Sequence, residues 1–311
     1  MSRARTTVTA ALLAASLSGC GSSESGDGAA IASGDPSLCP GEVVDVLVSV
    51  GSWSDMTRRL GGDCANVTTV VSSGSVDPHE VDPGTADLAA FSGADLVVLN
   101  GAGYDEWAAD ALAALDREPV VVDAASVAGI ADHGDDDPHL WYDPEILALT
   151  AEAVSGALAD LSPDAVDYFD HQLLAWQEEL QPYSAAVAEL RSTAAGAGVA
   201  ATETVFDRMS AAVGLVDVTP EGYRRAGNDG SEPAPGDVSA FEAALADGRV
   251  DVLIHNTQTG GSVPEQLRAA AEDADVPVVE VTEAPADTDS SFVAWQLDQL
   301  SELTDALAGR R

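Results

Sequence analysis

The stretch Val43-Val44-Asp45-Val46-Leu47-Val48-Ser49-Val50-Gly51 decides the fold class. It is apolar and β-branched over the length of a strand and stops at glycine, and residues 52–60 follow with the composition of a helix. The alternation continues outward, with strands at 67–71, 95–100 and 120–123 and helices at 85–91 and 106–115. Strands that alternate with helical segments predict a mainly parallel sheet covered on both faces.

Downstream, residues 144–192 read as helical. Leu147, Val154, Leu158 and Leu161 form an apolar stripe, and Ser162-Pro163 then pairs a hydroxyl cap with proline at the first helical position. The helix expected from there through Tyr168, Trp176, Tyr183 and Leu190 spans roughly 30 residues, or about 45 Å. Pro182 interrupts it and predicts a kink or division at that point. Strands at 198–203, 215–218, 251–256 and 276–281 then alternate with helices at 206–213, 238–246, 264–271 and 291–307, with a Gly/Pro/acid-rich loop at 228–235. The expected fold is α/β: two mainly parallel-sheet lobes, residues 41–143 and 193–311, joined by a helical region at 144–192 that contains a long brace helix.

Upstream, Arg3 and Arg5 precede a short apolar stretch at 11–17 that ends Leu17-Ser18-Gly19-Cys20. Residues 1–20 therefore read as an export signal, too short for a comfortable membrane span. The ending resembles a bacterial lipoprotein processing box, which implies lipidation of Cys20 and anchoring on the extracytoplasmic face of the cell membrane. Residues 21–40, rich in Gly, Ser, Ala and Asp, read as a flexible tether. Cys39 and Cys64 remain as an even pair in an oxidising compartment, so a disulfide between them is the expectation and two unpaired thiols the alternative. Neither sits in an activated setting.

The formal net charge is −40, with no lysine. Such a surface repels nucleic acid and concentrates cations. Most of the charge reads as solvation in a salty or acidic habitat or as a compositional bias.

Two Asp-Pro-His units carry the chemistry: Asp77-Pro78-His79-Glu80-Val81-Asp82-Pro83, and Asp137-Pro138-His139-Leu140-Trp141-Tyr142-Asp143-Pro144. Each places a histidine on a connection that follows a strand, where open parallel sheets bind ligands. Two imidazoles with nearby carboxylates suit a borderline divalent ion, with Asp77 or Asp143 as acceptors that orient a ring. With these motifs, and Asn100-Gly101-x-Gly-x-x-x-Trp107, the chain from Val43 to its last helix resembles the ZnuA/TroA-like family, the cluster A-I solute-binding proteins of ABC importers for zinc and manganese. The resemblance implies metal ligands at His79 and His139, a third at Glu203 and a fourth at Glu283, with Glu280 and Asp287 close to the last. It also implies Zn²⁺ or Mn²⁺ as the transported ion, an ABC permease as partner and a monomeric protein. From the residues alone, Glu203 follows an apolar strand and precedes a helix, so it reads either as a ligand or as a helix-start carboxylate.

Members with a long His-rich loop before the second motif differ from this chain, whose Ala131-Asp132-His133-Gly134-Asp135-Asp136 is short and reads as a solvated acidic loop. His171 reads as a surface or interlobe residue and His255 as mainly structural. Two other accounts compete. A zinc hydrolase needs an open coordination position, yet the chain has no His-Glu-x-x-His helix, no Gly-x-Ser-x-Gly elbow and no phosphate-binding Gly-x-x-x-x-Gly-Lys loop. An adhesion protein stabilised by a permanently held metal would use external patches without a compact motif.

Overall fold

A computed structural model describes residues 30–71, 84–130, 137–228, 231–258, 260–286 and 290–309. The first lobe runs β1 (Ala30–Ala32), β2 (Val44–Val50), α1 (Ser54–Gly61), β3 (Ala65–Val71), α2 (Thr85–Ala90), β4 (Leu96–Leu99), α3 (Glu106–Ala113), β5 (Val120–Asp123) and α4 (Ala124–Val127). Its strands lie in the order β1-β3-β2-β4-β5, all parallel except β1. β2 is the central strand, and Val46, Leu47, Val48 and Val50 are buried on both of its faces. That explains why it is continuously apolar rather than alternating.

Next come α5 (Pro144–Leu161), α6 (Val166–Glu179) and α7 (Gln181–Ala194). The long helix divides at Leu180, with Pro182 in the first turn of α7, where its missing N–H costs no helical bond. Ser162 does not act as the expected cap: its side chain makes no capping hydrogen bond, and a short 3₁₀ turn, Pro163–Ala165, leads into α6 instead. The second lobe runs β6 (Gly198–Ala201), α8 (Asp207–Ala212), β7 (Val216–Asp217), α9 (Glu221–Asn228), α10 (Pro235–Ala246), β8 (Val252–Asn256), α11 (Ser262–Asp273), β9 (Val278–Val281) and α12 (Phe292–Ala308). Its sheet is wholly parallel, in the order β7-β6-β8-β9.

Each sheet reverses strand order beside its first long strand, at β2/β4 and at β6/β8. Such switch points open a crevice beyond the carboxyl ends of the strands. The brace and α12 hold the lobes so that these crevices meet. Phe292 packs on Trp176 and Tyr183 of the brace, and its backbone N–H donates to Asp55 Oδ2 of α1 at 2.9 Å. One hydrophobic core runs without interruption from Val46 and Trp53 through Phe169 and Trp176 to Val199 and Leu303.

Part of the segment read as tether is built into the first lobe. β1 pairs antiparallel with β3, Ile31 opposite Thr68, and Cys39 is bonded to Cys64, in the 3₁₀ turn between α1 and β3, with S–S 2.08 Å. The low apolar content of 21–40 gave no sign of this strand, because an edge strand of three residues needs a partner ladder more than a side-chain pattern. Cys20 lies outside the described residues.

The crosslink closes a loop over a sequence separation of 25, worth about 3.5 kcal/mol in loop-closure entropy. A C39S/C64S double variant is expected to unfold in guanidinium with a stability lower by about that amount. A loss below about 1 kcal/mol would show that the crosslink contributes little to this lobe.

Candidate metal centre

The second Asp-Pro-His loop is fixed from both sides. Leu140, Trp141 and Tyr142 form a 3₁₀ turn whose side chains are fully buried, which anchors the loop by several kcal/mol of apolar burial. Asp143 then caps α5, accepting from the N–H groups of Glu145 at 2.9 Å and Ile146 at 3.3 Å, with Pro144 at the first helical position. Asp143 is therefore committed to the helix start rather than to an imidazole, which corrects the expectation from sequence. Asp137 takes the orienting role: its Oδ1 lies 2.6 Å from His139 Nδ1 and accepts from the His139 backbone N–H at 3.0 Å.

The loop leans on the Asn100-Gly101 motif. Asn100 Nδ2 donates to the Pro138 carbonyl at 2.9 Å, while Asn100 Oδ1 accepts from Trp53 Nε1 at 3.0 Å. Gly101 has φ +73°, and a Cβ there would stand 2.5 Å from Asp123 Oδ1, so glycine is required at this turn. Asp105 closes the turn by accepting from Ser49 Oγ and from the N–H groups of Asn100 and Gly101; burial pushes its carboxyl above the ordinary range despite these bonds.

The turn delivers Tyr104 to the cleft. Its ring meets His139 and Trp141 edge-on, and its hydroxyl donates to Glu283 Oε2 at 2.8 Å. Glu283, just past β9, is 3 % exposed, and the same Oε2 lies 3.7 Å from His139 Nε2. Its backbone N–H donates to Gln258 Oε1. Neighbouring Thr282 is held at its carbonyl by the Tyr142 hydroxyl, 2.7 Å away, and at its own hydroxyl by Trp295 Nε1, 2.9 Å away. Glu203, just past β6, makes no helix-capping bond; its Oε2 accepts from Asn256 Nδ2 at 2.7 Å, and the same amide donates to Glu283 Oε1 at 2.9 Å. Asn256, at the end of β8, thus joins both acids.

Glu283 faces His139 across the cleft, and Asn256 links Glu283 to Glu203. Among the described residues no three His, Cys, Asp or Glu side chains by themselves form a metal-holding group. His79 and Asp77 lie outside the described residues, as do His133 and Asp287. Glu280 is exposed on β9 and His171 is exposed on α6. His255 is buried and faces α11, with Nε2 3.9 Å from Glu265 Oε1, on the opposite side of β8 from Asn256. A separation of 3.7 Å between His139 Nε2 and Glu283 Oε2 suits two ligands at about 2.1 Å from one cation. The donors, one imidazole and two carboxylates, are of the type that binds borderline divalent ions.

Tyr104, Asp137, Asn256 and Gln258 were not picked out from sequence. Asn256 sits, like Glu203, at the carboxyl end of a parallel strand, where open sheets place ligands. Asp137 lies two residues from His139, whereas Tyr104 and Gln258 act through contacts between chain-distant segments, which no local pattern reveals.

A sequence model of the family described as zinc-uptake complex component A periplasmic (ZnuA) matches residues 46–306. The zinc-binding lipoprotein AdcA of Streptococcus pneumoniae serotype 4 is 26% identical over 185 residues, 54% of this chain and 37% of AdcA. This chain thus aligns with well under two thirds of that relative's length. The manganese ABC transporter substrate-binding lipoprotein PsaA of Streptococcus anginosus is 23% identical over 296 residues, 88% of this chain and 93% of PsaA. The periplasmic zinc-binding protein TroA of Treponema pallidum has the same fold, with TM-score 0.72 and 19% identity over 85% of this chain and 99% of TroA.

Burial pulls the His139 imidazole toward the neutral form, but its hydrogen bond to Asp137 and the negative charges of Asp137 and Glu283 outweigh that and raise its pKa from 6.5 to about 9. A raised folded pKa contributes stability that is complete below about 6.5 and lost as pH rises through about 9. The metal-free protein is therefore expected to melt several degrees lower at pH 9.5 than at pH 6.5, and H139Q to lose that dependence. An H139Q melting profile that keeps the full pH slope would assign it to other groups.

Proposed function

The chain belongs to the zinc-uptake complex component A periplasmic family, a family of solute-binding transport components rather than enzymes, and from that premise we propose that it captures one Zn²⁺ or Mn²⁺ ion outside the cytoplasm and passes it to an ABC permease. The ligand set of this reading is His79 and His139 from the first lobe with Glu203 and Glu283 from the second. The observation that carries it is the cluster in which Asn256 gathers Glu203 and Glu283 opposite the oriented imidazole of His139.

The chemistry is binding without a covalent step. Asp137 holds His139 Nδ1, which leaves Nε2 for the ion. Tyr104 and Asn256 hold the two oxygens of Glu283 in place before the ion arrives, so little rotamer freedom is lost on binding. Two nitrogens and two carboxylates complete a four-ligand shell with no open position for a reacting water, which favours capture over hydrolysis. The names of the relatives divide between zinc and manganese. The mixed nitrogen and oxygen donors accept either ion, with the intrinsic order of affinities favouring zinc. Lipidation at Cys20 would keep the monomeric receptor beside its permease.

Native mass spectrometry of protein purified without added metal, followed by competitive Zn²⁺/Mn²⁺ titration, tests this reading. One ion per chain is expected, with affinity reduced at least tenfold in both H79A and E203Q. Absence of any bound ion, or unchanged affinity in both variants, would reject it.

A further inference from the structure

We propose that Arg208 is a cross-lobe positioning residue: through Asp137 it holds His139 in its metal-binding orientation only while the two lobes are together, so that opening the cleft releases the imidazole along with the ion. This rests on the metal-capture reading above and adds to it a device for release.

Arg208 lies on α8 of the second lobe, and Asp137 on the loop of the first lobe that carries His139. Arg208 Nε donates to the Asp137 carbonyl at 2.9 Å, Nη2 donates to the same oxygen, and Nε stands 3.5 Å from Asp137 Oδ2. The two carboxylate oxygens are thereby divided between lobes. Oδ1 faces His139, touching Nδ1 and the backbone N–H, while the buried Oδ2 has no hydrogen-bond partner among the described residues and is compensated by the arginine charge. Both side chains are largely shielded, at 17% and 18% exposure. The neighbouring acid, Asp207, is engaged by Arg224, which also holds Asp217 at 2.8 Å. Asp137 is accordingly the acid that Arg208 serves.

A histidine ligand depends on the acceptor at its other nitrogen for tautomer and aim, and loss of such a partner weakens metal binding by about 10- to 100-fold. Lobe separation withdraws the guanidinium from Asp137. The carboxylate is then free to turn to water, and His139 loses its fixed acceptor. Glu203 and Glu283 leave with the same lobe as Arg208, so the shell loses its carboxylates and the aim of its imidazole in one motion.

The test uses the full chain loaded with zinc alone and reads both its affinity and its rate of loss to excess chelator. R208M is expected to release zinc about 10- to 100-fold faster than the unaltered protein. R208K should fall between them, because a lysine keeps the charge but not the two-pronged donor. In an H139A background, R208M should change zinc affinity less than about twofold, since Arg208 acts through that imidazole. R208M with unaltered release, or with an equal loss of affinity in both backgrounds, would overturn the inference while leaving metal capture intact. Failure of the unaltered chain to bind zinc would remove the functional reading and this inference together.

Discussion

A carboxylate buried between two lobes is the constraint on which the cleft depends. Removing Glu283 from water costs several kcal/mol unless its charge is matched and its lone pairs are filled. The fold meets that demand from four directions: Tyr104 and His139 from the first lobe, Asn256 from β8, and Gln258 at the adjoining backbone. None of these groups is near Glu283 in sequence. The first lobe can satisfy the acid only when it is docked against the second, so the electrostatics of one side chain favour closure. A divalent cation placed among the same groups would replace the proton on His139 and strengthen the bias.

The scaffold explains why these groups meet. Both sheets reverse strand order next to their first long strand, and the side chains of the cluster come from just beyond the carboxyl ends of β6, β8 and β9 on one side and from the turns after β4 and before α5 on the other. The brace is divided at Leu180 but packed along its length, and α12 returns to bond with α1 through Asp55. Such a frame restricts hinge motion more than extended linkers between the lobes would.

Much of this was legible in the sequence, and the reasons for the remainder are physical. The β2 run, the strand–helix alternation and the break at Pro182 are local signals of burial and backbone chemistry, and they identify the elements to within a few residues. β1 and α9 were missed because neither carries an apolar period of its own: Ala30–Ala32 is a short edge strand, and Glu221–Asn228 is short, polar and interrupted by glycine. His139, Glu203 and Glu283 were named through the family-like motifs, and strand-end position pointed the same way for Glu203. Asp137 stands two residues from His139, yet the reading of the motif gave the orienting role to Asp77 or Asp143, and Asp143 caps α5 instead. Tyr104 and Arg208 act across separations of 179 and 71 residues, where only the folded chain brings the partners together.

Anomalous diffraction from crystals grown with zinc tests the central claim most directly, because it locates the ion without assuming its ligands. The account predicts a single strong peak bonded at about 2.0–2.2 Å to His139 Nε2 and to carboxylate oxygens of Glu203 and Glu283. An ion bound elsewhere, with His139 and Glu283 still in contact only with each other and their protein partners, would contradict it.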